Sequence, residues 1–297
     1  MSAKPKLARR SVAESAAQKV LHDLKIDTLR VDPIAIAGKH GIAVEAKPDN
    51  VEGVSGALIK AGDQFGILYA THIQSIGFQR FSIAHELGHY FTDGHTDALL
   101  ENNLHVSRAG FTSADPFEQE ADYFAASLLM PERPFKRALD SHKAGLTCVD
   151  ALSAACETSL TATAIRYASL TADGVAVIAT TGQSVDWCFM SEALKEAKGL
   201  NWLRKGTPVP GGTLTAAFNA DPENIRGARR DSGDGRLNDW LDGERVYKVV
   251  EEVVGLGQYG RSLTLLTCPA LSGRGDDDPG DDDEERDLIE SWTPRFR

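Results

Sequence analysis

Cysteine is scarce. The chain of 297 residues holds four, Cys148, Cys156, Cys188 and Cys268, with no Cys-x-x-Cys pair. That pattern does not suggest a disulfide framework or a thiolate zinc knot, and it fits single buried thiols in a reducing, cytoplasmic setting. Long apolar runs are missing too. No stretch approaches the roughly 18–20 residues of a membrane span, so no membrane partner is expected. The opening MSAKPKLARR is basic, but no apolar stretch follows it. Residues 1–9 therefore read as a flexible leader rather than a secretory signal. A basic excess is also lacking. The formal net charge is −11, and the run DDDPGDDDEE at 276–285 supplies eight of those negative charges. Nucleic-acid affinity rests on phosphate neutralisation, so direct binding to DNA or RNA is not expected. The acidic run lacks the glycine-bend spacing of a calcium loop and reads as part of a solvated tail, 271–297. There is no internal repeat and no glycine-rich phosphate loop; Pro210-Gly-Gly reads as a turn.

What is present is a globular composition, 42% hydrophobic and 25% charged, enough for a real core. Ser11 and Glu14 have capping-box spacing, and Val12, Ala16, Val20, Leu21 and Leu24 recur at helical intervals behind them. Asp32-Pro33 opens a short helix to His40, which Gly41 stops. Residues 42–46 read as a strand. Residues 54–60 and 65–70 form a hairpin around Ala61-Gly-Asp-Gln64, not of the tightest kind. A strong helix spans Phe78 to Phe91, and Gly94 ends it. Residues 95–114 read as an irregular loop. Asp115 as N-cap and Pro116 at the first helical position open the next helix, which Pro131 stops. Further helices fill 132–171. Beyond Gly174 the texture turns strand-like (VAVIAT, SVDWCF, SLTLLTC), with helices expected over Ser191–Lys198 and Leu237–Val254. These readings place one α+β domain at 10–171 and an α+β accessory domain at 172–270.

The chemistry sits in Phe81-Ser-Ile-Ala-His85-Glu86-Leu-Gly-His89-Tyr-Phe. His85 and His89 are one helical turn apart and share a face, so two imidazoles can reach one ion. Zinc accepts neutral imidazole nitrogen and, in a catalytic site, takes about three protein ligands and a water. Glu86 is placed to act as general base on that water, which zinc acidifies. The five-residue pattern alone is moderately specific, and a surface helix with two unrelated histidines is the plain alternative. The apolar surroundings of the motif argue for burial, and buried histidines need partners. Gly88 costs helix propensity, about 1 kcal/mol, which close approach of another backbone would explain.

A third ligand is expected from the following helix. Glu118 lies 29 residues after His89, with Asp122 one turn further on the same face, suited to hold a histidine N–H. A capping role at the helix start competes for Glu118. Glu120 is the rival ligand, but it points about 200° around the helix from Glu118. His95 and Tyr90 are candidate donors to an oxyanion. His72 and His105 are weaker candidates.

The chain resembles the ImmA/IrrE family of zinc metallopeptidases. The resemblance lies in three stretches over about residues 10–170. They are Asp32-Pro-Ile-Ala-Ile-Ala…Gly41-Ile-Ala-Val, then Gln79-Arg-Phe-Ser-Ile-Ala-His85-Glu-Leu-Gly-His89, then Glu118-x-x-Ala121-Asp122-x-Phe124-Ala-Ala-x-Leu128-Leu-Met130-Pro131. It implies a zincin-like minimal domain with a gluzincin-like centre. One Zn2+ per chain would be held by His85, His89 and Glu118, with Glu86 as base. It also implies a substrate class, helix-turn-helix repressors of the XRE type, whose cleavage switches on stress-response or mobile-element genes. Some members carry a helix-turn-helix-like segment after the peptidase core, and residues 147–170 fit such a pair of helices; packing against the core is the plainer reading. In one branch of the family a GAF-like sensor follows, at the place of residues 172–270. Two other functions stay open. One is a non-catalytic, antitoxin-like or regulatory protein with a structural zinc. The other is a DNA-binding regulator acting through 147–170.

Overall fold

A computed structural model describes residues 7–47, 53–100, 102–108, 115–243 and 245–272. The first six residues of the leader and the acidic run at 276–285 lie outside them. The fold is α+β, with two separate sheets. The described residues of 1–138 and 151–163 form one compact unit, and those of 139–150 and 164–272 a second.

The first unit begins with α1 (Arg10–Asp23) and α2 (Pro33–Lys39). The expected Ser11–Glu14 capping box does not form: Arg9 is the N-cap, and Glu14 pairs with Arg10 at 3.0 Å. The reason is Glu120, which accepts from the Arg9 backbone N–H at 2.9 Å and so fixes the helix start earlier. At α2 the expected cap is present, since Asp32 accepts from Ile34 N and Ala35 N. Next come β1 (Ala43–Lys47), β2 (Val54–Ala61), β3 (Gln64–Ala70) and α3 (Ile76–Phe91). The hairpin is tighter than expected. Ala61 pairs with Gln64, and the turn is Gly62-Asp63, with Gly62 at φ 63°. The loop expected over 95–114 contains two elements instead, α4 (His95–Leu99) and β4 (Leu104–Arg108). Short alternation, Leu104-His-Val-Ser-Arg108, hides a strand that pairs antiparallel with β2. The sheet order is β1-β3-β2-β4, with β1 parallel to β3 and the other pairs antiparallel.

Then follows α5 (Pro116–Leu129), capped by Asp115 as expected. One core joins these elements: Ala17 and Leu21 of α1, Ile36 of α2, Leu58 and Ile67 of the sheet, Leu87 of α3, and Phe124 and Leu128 of α5. Helices α6 (Glu132–Asp140), α7 (Leu146–Cys156) and α8 (Leu160–Leu170) follow.

The second unit has β5 (Asp173–Thr181), β6 (Ser184–Met190), α9 (Glu192–Lys195), α10 (Leu214–Asn219), α11 (Pro222–Arg226), β7 (Arg230–Arg236), α12 (Leu237–Leu241), β8 (Lys248–Gly255) and β9 (Ser262–Ser272). Its sheet is antiparallel, in the order β6-β5-β9-β8-β7. A single helix over Leu237–Val254 is not found. The chain leaves the helical region at Asp242 (φ 53°) and Gly243 (φ 106°). The β-branched run Lys-Val-Val-Glu-Glu-Val-Val then suits a strand. Ile178, Leu241, Val249 and Leu266 share this unit's core. Among the described residues, no helix is long and apolar enough to cross a membrane.

Candidate metal centre

Two helices build the site by approaching closely. On α3, Ser75 caps the start by accepting from Phe78 N, and His85 and His89 occupy one face. On α5, Glu118 and Asp122 occupy one face likewise. Gly88 lies where the helices meet: a Cβ there would stand 2.9 Å from Ala121 Cα. That contact brings the two ligand-bearing faces together.

The result is a compact donor cluster. His85 Nε2 stands 3.1 Å from His89 Nε2. Glu118 places Oε2 3.3 Å from His85 Nε2 and Oε1 3.5 Å from His89 Nε2. These three side chains satisfy the proximity that one metal ion requires. A tetrahedral zinc with bonds of about 2.0–2.1 Å spaces its ligand atoms about 3.3 Å apart, so the donor set fits that ion.

Each ligand-type residue has an outer partner. His85 Nδ1 donates to Asp122 Oδ1 at 2.8 Å. His89 Nδ1 meets His95 Nδ1 at 3.1 Å, and His95 Nε2 donates to Glu120 Oε2 at 3.0 Å. His105 Nε2 donates to Glu118 Oε1 at 2.9 Å. Charge follows these contacts. Burial drives the His89 imidazole down to about 3. Burial also works against a charge on His85, but the bonds to Asp122 and Glu118 outweigh it and hold that imidazole well above its usual value. Glu118 stays well below the ordinary carboxylate range despite burial, because His105, His85 and His89 all bond to it.

Glu86 is different. Its side chain is fully buried, and neither carboxylate oxygen has a hydrogen-bond partner among the described residues. Burial pushes it up to about 7. An unpartnered buried carboxylate costs roughly 1–3 kcal/mol or more, a cost that a chemical role explains.

Several expectations change. Glu120 is no ligand: its carboxylate is turned to Arg9 and His95, and it takes no part in the donor cluster. His95, a candidate either for the oxyanion or for a contact behind a metal ligand, takes the second place: it is fully buried, with one ring nitrogen on His89 and the other on Glu120. Gly94, left-handed at φ 85°, turns the chain so that His95 folds back under His89. Tyr90 lies about 100° around α3 from His89. Its ring packs with the core against Phe65, centroids 5.0 Å apart. His72 is exposed between β3 and α3. His105, weakly regarded in sequence, is brought to the cluster by β4, with its ring 4.5 Å from that of His89. The Asp115 cap, accepting from Phe117 N at 3.0 Å, leaves the Glu118 carboxylate to the imidazoles.

Residues 37–166 match the family model described as the IrrE N-terminal-like domain, a peptidase family. This segment belongs to that family. The IrrE-type segment contains every residue of the cluster, from His85 to Asp122. A solved structure described as a Mycobacterium tuberculosis transcriptional regulator is similar in fold, with a TM-score of 0.53 and 18% identity, covering 88% of this chain and 77% of that one. At that identity the likeness concerns the fold alone. No curated protein matches the chain.

Proposed function

We propose that this chain is a zinc-dependent endopeptidase that cuts a helix-turn-helix repressor of the XRE type and so regulates gene expression. The observation that carries the reading is the spacing of His85 Nε2, His89 Nε2 and the Glu118 carboxylate at 3.1, 3.3 and 3.5 Å, beside a fully buried Glu86 with no hydrogen-bond partner among the described residues. The IrrE-type peptidase segment supports the enzyme class. The repressor substrate rests on the family resemblance, and the regulatory setting agrees with the description of the similar solved structure.

His85, His89 and Glu118 would hold the ion. Bound zinc supplies Lewis acidity, polarising a peptide carbonyl and making a water acidic near neutral pH. Glu86 would take a proton from the attacking water and return it to the departing amine nitrogen. Its position near 7 matches both tasks, since the group can be base and then acid at neutral pH. Asp122 orients His85 through Nδ1, leaving Nε2 for the ion.

A second reading, a closed zinc site in a binding protein, has one observation in its favour. His105 Nε2 lies 2.9 Å from Glu118 Oε1, so a further imidazole stands beside the cluster, although outside the three residues that could share one ion. Purified chain loaded with zinc, mixed with repressors encoded beside its gene, separates the two. Cutting that Glu86→Gln abolishes supports the peptidase. Cutting that persists unchanged in Glu86→Gln refutes the mechanism. A metal-loaded crystal with four protein ligands supports the closed site.

A further inference from the structure

Behind His89 runs a hydrogen-bonded chain that the peptidase reading does not use. Glu120 is fully buried. Arg9 holds it by its backbone N–H at 2.9 Å, by Nε at 3.0 Å and by Nη2 at 2.7 Å. Glu120 Oε2 accepts from His95 Nε2 at 3.0 Å, and His95 Nδ1 faces His89 Nδ1 at 3.1 Å. We propose that Arg9 and Glu120, acting through His95, hold His89 as its Nδ1–H tautomer, so that Nε2 faces Glu118 and His85 as a bare lone pair. The inference deepens the zinc reading above, and it makes Arg9, Glu120 and His95 positioning residues.

The order of protons follows from donor and acceptor chemistry. A carboxylate in a salt bridge only accepts, so the His95 nitrogen that faces it carries hydrogen. A neutral imidazole has one N–H, so His95 Nδ1 is an acceptor. The atom 3.1 Å away, His89 Nδ1, must then be the donor. His89 has no further hydrogen for Nε2, the nitrogen that a metal needs bare. The Arg9 guanidinium balances the buried charge of Glu120, which would otherwise stand unpaired. Arg9 stands at the start of α1, so the chain also ties the N-terminal segment to the site.

The test uses the full chain. Zinc affinity is measured by competition with a chromophoric chelator. Long-range 1H–15N correlation on metal-free protein reads which nitrogen of His89 carries hydrogen. The parent should show His89 protonated at Nδ1. Glu120→Ala and His95→Leu should lower zinc affinity by about 10–100-fold, with the His89 tautomer mixed or reversed. Arg9 is 40% exposed and can turn to water in Glu120→Ala, so that variant should still fold. His95→Asn keeps an acceptor oxygen toward His89 and should restore the tautomer and most of the affinity, which a packing role alone would not. Folded Ala and Leu variants with affinity within about twofold of the parent would overturn the inference, as would a parent His89 protonated at Nε2. A parent with the Nδ1–H tautomer that takes up no zinc would support this chain of bonds and sink the peptidase reading instead.

Discussion

Gly56 on β2 gives Glu86 its room: a Cβ at Gly56 would stand 2.6 Å from Glu86 Oε1. Real Cβ atoms do not approach an oxygen so closely, so Gly56→Ala must push the carboxylate aside or spread the strand from the helix. Misplacement of a catalytic group by about 1 Å costs on the order of 10²-fold in rate. Gly56→Ala should therefore lose at least tenfold in kcat while keeping one zinc per chain. Undiminished turnover in a zinc-replete variant would show that Glu86 is not held where the geometry puts it.

Gly88 makes the corresponding demand between helices. With Ala121 Cα 2.9 Å from its would-be Cβ, Gly88→Ala forces α3 and α5 apart even though alanine is the better helix former. Overpacking of this kind costs about 1–3 kcal/mol. Thermal melting should show a lower Tm for Gly88→Ala, and zinc content should fall with it, since the same contact sets the distance between His85 and Glu118. A Tm equal to or above the parent's would mean that helix propensity outweighs the contact.

Part of this site was legible because helical periodicity carries three-dimensional information. His85 and His89 share a face by spacing alone, and Gly88 in an apolar helix already pointed to a close backbone. The opposite facing of Glu118 and Glu120 was legible too, and it separates the cluster from Arg9. His105 was not. It sits on a five-residue strand whose partner, β2, is about fifty positions earlier, so only the long-range pairing Leu58↔His105 places it. Arg9 was hidden for the same reason: its partner is 111 residues away. In the second unit, β7 (RDSGDGR) has no apolar signal. The Val-Val-Glu-Glu-Val-Val run of β8 lies in the stretch expected to be helical, and its Glu251 is buried in the sheet instead. That carboxylate is satisfied by Thr215 N at 2.9 Å and Thr215 Oγ1 at 2.7 Å.

The thiols offer a pH test apart from the site. Burial, helped by the nearby negative charge of Asp173, pushes the Cys148 thiol up to about 11, and burial pushes Cys188 up to about 12. The thiolate is the reactive form. A raised value leaves only about one part in a thousand ionised at pH 8 for Cys148, against roughly a quarter for an ordinary thiol. Iodoacetamide should therefore leave Cys148 unlabelled in the native chain at pH 8 and label it fully in urea. Reactivity should climb about tenfold per pH unit as long as the fold persists. Stoichiometric native labelling at pH 8, read by mass spectrometry, would contradict this.

Metal removal should register in stability as well as activity. A ligand that binds the folded state alone stabilises it by about 2.7 kcal/mol at a concentration 100 times its Kd. In a chain of this size, at roughly 2–4 °C per kcal/mol, that corresponds to a Tm shift of about 5–10 °C. Chelation should thus lower the Tm of the parent by that amount, and added zinc should restore it. In Glu118→Ala the donor set is reduced to two imidazoles, so chelation should move the Tm much less and bound zinc should fall well below one per chain. Glu86→Gln should behave as the parent does, because Glu86 holds no place among the three donors. If Glu118→Ala kept both full zinc content and the full chelation shift, Glu118 would not be the third ligand. His105, 2.9 Å from its carboxylate, would be the next residue to change.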